Sequence, residues 1–204
     1  MPVFAVALVI CAVAWTLVEG HAGSAYGDGS SWANATHADG IIYVIRHGEK
    51  NSIGNHLDKI GLERAQHVAD LWDGTRFPAP KAIFANLYDN EFNSVELVEP
   101  LAHRLGLPVN SSENRKHNWQ AAGKILHALE AKGSPILVAW EHRHIVRLLV
   151  DMGCSSTWLA NWWSGLWPRT DFDEIFIATF RDGACVDLTR EREHFLVPQT
   201  VWCK

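Results

Sequence analysis

Two short stretches of this 204-residue chain place reactive side chains directly after apolar runs. In the first, Tyr43 Val44 Ile45 lead into Arg46 His47 Gly48 Glu49; in the second, Pro135 to Trp140 leads into Glu141 His142 Arg143 His144. Groups of these types can carry out phosphoryl transfer. A neutral imidazole is a competent nucleophile at phosphorus once its other ring nitrogen is fixed in the right tautomer. A guanidinium matches phosphate bidentately, and such cations are needed because the transition state spreads charge over the phosphoryl oxygens. A glycine beside the imidazole lets backbone amides come close. A departing alkoxide requires a general acid, for which Glu141, Glu91 and Glu49 are the candidates.

For the two exits to meet, their strands must end at one edge of a sheet, where open α/β sheets bind ligands. The hydrophobic pattern supplies that sheet. Gly40 to Ile45 predicts a buried strand. Gly61 to Trp72 predicts a helix with Leu62, Ala65, Val68, Ala69 and Trp72 inward, followed by a short strand over Lys81 to Ala85. Glu96 to Leu105 predicts a second helix, with Pro100 tolerated in its first turn, and Asn118 to Ala131 a third, stopped by Gly133. Pro135 to Trp140 is the strongest buried strand, and Ile145 to Met152 continues as a helix that Gly153 closes. Glu174 to Phe180 and Ala184 to Leu188, joined through Asp182 and Gly183, predict a hairpin. The alternation predicts an α/β three-layer sandwich: a mainly parallel sheet, helices on both faces and the hairpin at one edge. Neither a GxxxxGK loop nor a GxGxxG turn is present, so nucleotide binding has no motif behind it.

Hydrophobic residues at 48% and charged residues at 20% describe one globular domain rather than a disordered chain. The net charge of -5, with no run of Lys and Arg, argues against nucleic acid as a partner. Arg190 and Arg192 alternate with Glu191 and Glu193 in the pattern of a solvated strand end. Trp158, Trp162, Trp163 and Trp167 crowd one segment and are expected in the core or at the rim of a pocket.

Val3 to Val18 is apolar apart from Thr16, and short of the roughly 20 residues that a spanning helix needs. With Gly20 and Ala22 after it, this run predicts a signal peptide over 1–22, then a flexible leader over 23–39 and a domain over 40–204, hence a secreted protein. No Lys or Arg precedes the run, which keeps a membrane-anchoring, uncleaved signal helix as the alternative. The sequons at Asn34 and Asn110 fit passage through a secretory pathway. Once Cys11 is removed, Cys154, Cys185 and Cys203 allow one bridge, with Cys185 to Cys203 tying the tail to the hairpin, or three reduced thiols.

Arg46 His47 Gly48 Glu49 resembles the signature of the histidine phosphatase superfamily, which includes phosphoglycerate mutase. Leu57 Asp58 with Gly61 and Arg64 Ala65 Gln66 is similar to that family's next segment. Glu99 Pro100 Leu101 Ala102, then Leu105 Gly106 Leu107, resembles the helix that ends its second motif. Trp140 Glu141 His142 resembles the second catalytic histidine in the form of a divergent branch. The resemblance implies a cofactor-independent phosphomonoester hydrolase acting on a small phosphorylated substrate. His47 would form a phosphohistidine, Arg46 would bind the phosphoryl group and His142 would complete the pocket.

Further substrate contacts are expected from the loop at Gly54 and Asn55, from Asn93 and from Arg143. The family places a second arginine shortly before the Glu-Pro-Leu-Ala helix, and here that position falls on Asn90 or Asn93, with Arg143 or Lys50 as substitutes. Losing one preorganised donor costs roughly 2.7 to 4 kcal/mol. That departure keeps a pseudophosphatase, binding phosphate or a protein, as the alternative, and the shortage of cations argues for hydrolysis over mutase activity. Glu141 is preferred as the acid because it adjoins His142, although neighbours on a strand point to opposite faces; Glu113 stands in an unlike context. A metal site is the second enzymatic option, with His142 and His144 spaced for one face of a strand and His56 and His117 available. Neither the substrate nor the oligomeric state is legible.

Overall fold

The computed structural model describes residues 37–160, 167–168 and 170–196. The predicted signal peptide, the sequon at Asn34, and Cys11, Trp162, Trp163 and Cys203 lie outside them. Among the described residues no helix is long and apolar enough to cross a membrane.

The chain runs β1 (Gly40–Arg46), α1 (Lys59–Leu71), β2 (Ala82–Ala85), α2 (Asn93–Leu105), β3 (Val109–Asn110), α3 (Asn118–Lys132), β4 (Ile136–Trp140), α4 (His142–Asp151), α5 (Ser156–Ala160), β5 (Glu174–Arg181) and β6 (Ala184–Arg192). The strands form one sheet in the order β3-β2-β4-β1-β5-β6. Strands β3, β2, β4 and β1 pair in parallel, and β5 and β6 add antiparallel at the β1 side, so the sheet is mainly parallel with the hairpin at its edge.

Strand alternation divides the core into two layers. Ile42 and Val44 of β1, with Ile136, Val138 and Trp140 of β4, pack against Ile125 and Leu129 of α3 and Leu148 and Leu149 of α4. Tyr43 and Ile45, with Leu137 and Ala139, pack against Val68 and Trp72 at α1 and Leu97 and Leu101 of α2. Burial on both faces explains why β1 and β4 read as continuous apolar runs.

Several elements differ from the sequence expectation. Leu62 is 56% exposed, while Arg64 is wholly buried on the inner face of α1. At Gly61 an added Cβ would lie 2.5 Å from the Glu49 carbonyl oxygen; that close approach sets the rotation of α1 and turns Leu62 outward. Helix α2 begins at Asn93 rather than Glu96, so Pro100 sits in its interior and removes one backbone donor. The helix persists because Leu97, Val98, Leu101 and Ala102 are buried beneath it. Ala38 is buried and its carbonyl accepts from Gly183, while Asp39 accepts from the Asp182 amide, so the end of the expected leader is part of the domain. Asp182 and Gly183 turn the hairpin with φ of 48° and 74°, the left-handed pair that a two-residue turn requires.

The bridge is Cys154 to Cys185, which corrects both the Cys185–Cys203 pairing and the reduced-thiol alternative. It ties the turn after α4 to the edge strand β6. Glu193 corrects the picture of a solvated strand end: it is 0% exposed and paired with Arg64, while Arg192 remains half exposed.

Candidate active site

Parallel pairing puts Arg46 beside Trp140, so β1 and β4 end together, and the His47 amide donates to the Trp140 carbonyl at 2.9 Å. The next residues deliver the two imidazoles to one place, with His47 Nε2 3.1 Å from His142 Nδ1. His47 Nδ1 lies 2.8 Å from the Gly48 carbonyl oxygen. A carbonyl only accepts, so Nδ1 carries the proton and Nε2 keeps its lone pair. Burial, reinforced by the charges of Lys50, Arg46 and His142, outweighs the Gly48 hydrogen bond and holds the His47 imidazole down at about 3. It is therefore neutral, with its basic nitrogen in the pocket.

Glu141 is not on the strand. It is the N-cap of α4 and accepts from the Arg143 amide at 3.1 Å, while His142 opens the helix. Strand alternation therefore does not set the side chains of this pair on opposite faces. His142 Nδ1 is 3.0 Å from Glu141 Oε1, so the His142 Nδ1–H stands between the carboxylate and the His47 lone pair. Burial would raise the Glu141 carboxyl, but hydrogen bonds from His142 and Arg143 and their charges outweigh it and hold it at about 2. Such a carboxylate accepts hydrogen bonds and does not donate a proton at neutral pH.

Arg46 is 4% exposed. It donates to the carbonyls of Pro168 at 3.0 Å and Asp171 at 2.8 Å, and its guanidinium lies 3.7 Å from the centre of the Phe172 ring. Burial, then the like charge of Arg64, lowers it to about 10, so it stays cationic at neutral pH. Arg46, His47, Lys50, Glu141, His142, Arg143, Trp167 and Phe172 line a pocket of about 530 Å3. Trp167 is both core and pocket wall, as the tryptophan-rich segment suggested.

The other sequence candidates lie elsewhere or play other parts. Asn93 is 1% exposed and donates to the Gly54 carbonyl at 3.3 Å, fastening the 51–58 loop to α2 away from the pocket wall. Asn55 likewise contributes its carbonyl, which accepts from Phe92. Asn90 is exposed in a left-handed turn with Asp89, at φ of 66° and 46°, and the turn delivers Glu91 instead. Glu91 holds Lys50 at 2.9 Å and Arg115 at 3.4 Å. Arg143 is 64% exposed and bonds Glu141. Glu49 lines a neighbouring cavity of about 350 Å3, where burial raises its carboxyl despite Arg64. Glu113 is paired with Lys124 and His117.

The metal ligands considered from sequence do not gather. His142 and His144 are two residues apart on a helix, His56 stacks on Phe92 beside Glu96, and His117 faces Glu113. Among the described residues the cluster with metal-ligating groups is His47, Glu141 and His142, whose ligand atoms all lie within 4.8 Å of one another.

Sequence reasoning missed Phe172, Arg64 and Glu193. Arg64 forks Glu193 through Nε at 2.8 Å and Nη2 at 2.5 Å, and donates to the carbonyls of Arg46 at 3.3 Å and His47 at 3.2 Å. A basic residue on an otherwise apolar helix face was the available signal for Arg64; nothing local marks Glu193.

No family model and no curated protein matches the sequence. Solved structures do. One assigned as the phosphohistidine phosphatase SixA from Agrobacterium tumefaciens matches 73% of this chain and 96% of its own, at 13% identity and a TM-score of 0.51. A mycobacterial glucosyl-3-phosphoglycerate phosphatase aligns over 74% of this chain and 97% of its own, with 11% identity and a TM-score of 0.49. A phosphoglycerate mutase from Bacillus anthracis str. Sterne aligns over 78% and 94%, with 14% identity and a TM-score of 0.46. The chain has the α/β phosphoglycerate mutase-like fold, shared with the SixA structure.

Proposed function

We infer that the protein is a phosphomonoester hydrolase of the histidine phosphatase superfamily that works through a phosphohistidine. The observation that carries this reading is the 2.8 Å contact of His47 Nδ1 with the Gly48 carbonyl oxygen, which requires the proton on Nδ1 and so leaves the lone pair on Nε2, in a pocket lined also by Arg46, Lys50 and Arg143. Nε2 attacks phosphorus, an N–P bond forms, and the P–O bond to the leaving group breaks. Arg46, Lys50 and Arg143 offset the charge on the phosphoryl oxygens, with Lys50 nearest in role to the absent second arginine. His142, oriented by Glu141 through Nδ1, gives a proton from Nε2 to the departing oxygen; the water that then attacks phosphorus returns its proton to that nitrogen as the N–P bond breaks and phosphate leaves. Glu141 is thus a positioning residue rather than the acid. The aromatic wall of Trp167 and Phe172 favours a flat or apolar leaving group.

The test is release of phosphate from an aryl phosphate by wild type and by His47→Ala, with acid quench to trap an acid-labile phosphoenzyme. Wild type is expected to turn over and to trap label on His47, and His47→Ala to do neither. Equal release by both proteins sinks the phosphatase reading, and tight phosphate binding without release supports a pseudophosphatase.

A metal-dependent reading rests on the His47, Glu141 and His142 cluster, a donor set suited to zinc. Arg46, Lys50 and Arg143 around the same pocket favour an anion over a dication. Activity abolished by chelator and restored by zinc would reverse that order. Secretion is proposed on the apolar N-terminal run, with the Cys154–Cys185 bridge supporting an oxidising compartment.

A further inference from the structure

Arg64 and Glu193 are both 0% exposed, yet neither faces the pocket of His47 and His142. Burying a charge pair is costly unless geometry and extra hydrogen bonds compensate. Here the compensation is specific. One side of the guanidinium forks the Glu193 carboxylate; the other reaches the carbonyls of Arg46 and His47, the two residues at the exit of β1. Burial alone would lower the Arg64 guanidinium, but the charge and hydrogen bonds of Glu193 more than reverse this, so it remains a cation.

The Glu193 backbone is fastened as well. The Glu193 amide donates to the Asp173 carbonyl at 2.8 Å, and its own carbonyl accepts from Arg76 at 2.9 Å, with His67 Nε2 also at 2.9 Å. The Phe195 amide donates to Asp173, and the Phe195 ring packs on His67. The segment after β6 is thereby fastened to α1 and to the stretch that holds Asp171 and Phe172, which themselves contact Arg46.

We propose that Arg64, held in orientation by Glu193, is a positioning residue that fixes the Arg46–His47 backbone and with it the angle at which His47 Nε2 meets phosphorus. This rests on the reading of His47 as the nucleophile. The C-terminal segment therefore completes the site without touching the substrate. A lysine cannot replace Arg64, because an ammonium on a flexible stem does not span a carboxylate and two carbonyls in one plane.

The experiment uses the full chain, p-nitrophenyl phosphate as substrate, and three variants: Arg64→Lys, Glu193→Gln and the neutral pair Arg64→Gln/Glu193→Gln. Three quantities are read: kcat and KM, the melting temperature, and the proton NMR resonance of His47 Nδ1–H in substrate-free protein. Arg64→Lys is expected to lower kcat about 100-fold, the effect of a misplacement of about 1 Å. Its KM should stay within about threefold, because the pocket cations are unchanged. Glu193→Gln should lower kcat less, and both variants should move the His47 resonance. The neutral pair is expected to regain melting temperature without regaining kcat or the wild-type resonance. If kcat instead follows melting temperature and returns with the neutral pair, or if the His47 resonance does not move in Arg64→Lys, the positioning role is overturned. A wild type that does not turn over counts against the phosphatase reading, and the resonance still decides the role of Arg64.

Discussion

Arg46 and Arg64 are both buried guanidiniums, yet they shift in opposite directions, Arg46 down to about 10 and Arg64 upward. The difference lies in what surrounds them. Arg64 meets the Glu193 carboxylate end to end, has Glu49 3.9 Å away and donates to two carbonyls. Arg46 is held by the Pro168 and Asp171 carbonyls and the Phe172 ring, and it lies against the pocket. Arg64 is turned wholly inward and stiffens a backbone, whereas Arg46 lines the pocket that holds His47 and His142.

The contrast is broken most directly by exchanging each arginine for methionine. Arg46→Met should lower kcat/KM by roughly 100- to 1000-fold, the loss of a transition-state donor. It should cost stability only about 1 to 2 kcal/mol, the value of the loop hydrogen bonds. Arg64→Met should cost about 3 to 5 kcal/mol in urea unfolding, because it leaves Glu193 as an uncompensated buried charge. Equal stability losses for the two would mean that Arg46 is also a structural cation.

The bridge offers a scale for those losses. With a sequence separation of 31 between its ends, replacing Cys154 and Cys185 by serine should remove about 3 to 4 kcal/mol in the chain-entropy model. The same urea titrations read this, and kcat should be unchanged below the melting transition.

Acid titration sharpens the site itself. The folded His47 value of about 3 lies below its ordinary 6.5, so the unfolded chain binds more protons and stability falls as pH drops from 6.5 towards 3. Glu141, at about 2 against an ordinary 4.5, adds stability that is present above 4.5 and lost as pH falls towards 2. His47→Gln should therefore flatten the dependence of unfolding free energy on pH between those limits by up to about 1.4 kcal/mol per pH unit. An unchanged slope would place the His47 imidazole in solvent.

The smallest effect is expected at Asn90. Restoring an arginine there should change kcat by no more than about twofold, since the position is exposed and its φ of 66° is a strained setting for a long side chain. A gain of tenfold or more would show that this turn rearranges to bring a second guanidinium to phosphate.

Much of the fold was legible because hydrophobic period is a local property. Two apolar runs gave β1 and β4, Asp182 and Gly183 gave the hairpin turn, and the reactive residues stood directly at the strand exits. Departures arose where a close contact overrode the period. Gly61 packing against Glu49 rotated α1, and Glu141 capped a helix although glutamate is not a preferred N-cap residue, which hid its role as a hydrogen-bond acceptor.

By itself the sequence determined the layered sheet, the pair of histidines at its edge and the absence of an arginine at Asn90 and Asn93. Only the tertiary structure decided which histidine nitrogen is basic, that Glu141 is an acceptor, that Cys154 meets Cys185, and that Glu193 holds Arg64. The physical reason is range. Strand and helix periods are written over a few neighbouring residues, whereas the environment that sets a charge or a tautomer is assembled from side chains as far apart as Arg64 and Glu193, whose sequence separation is 129.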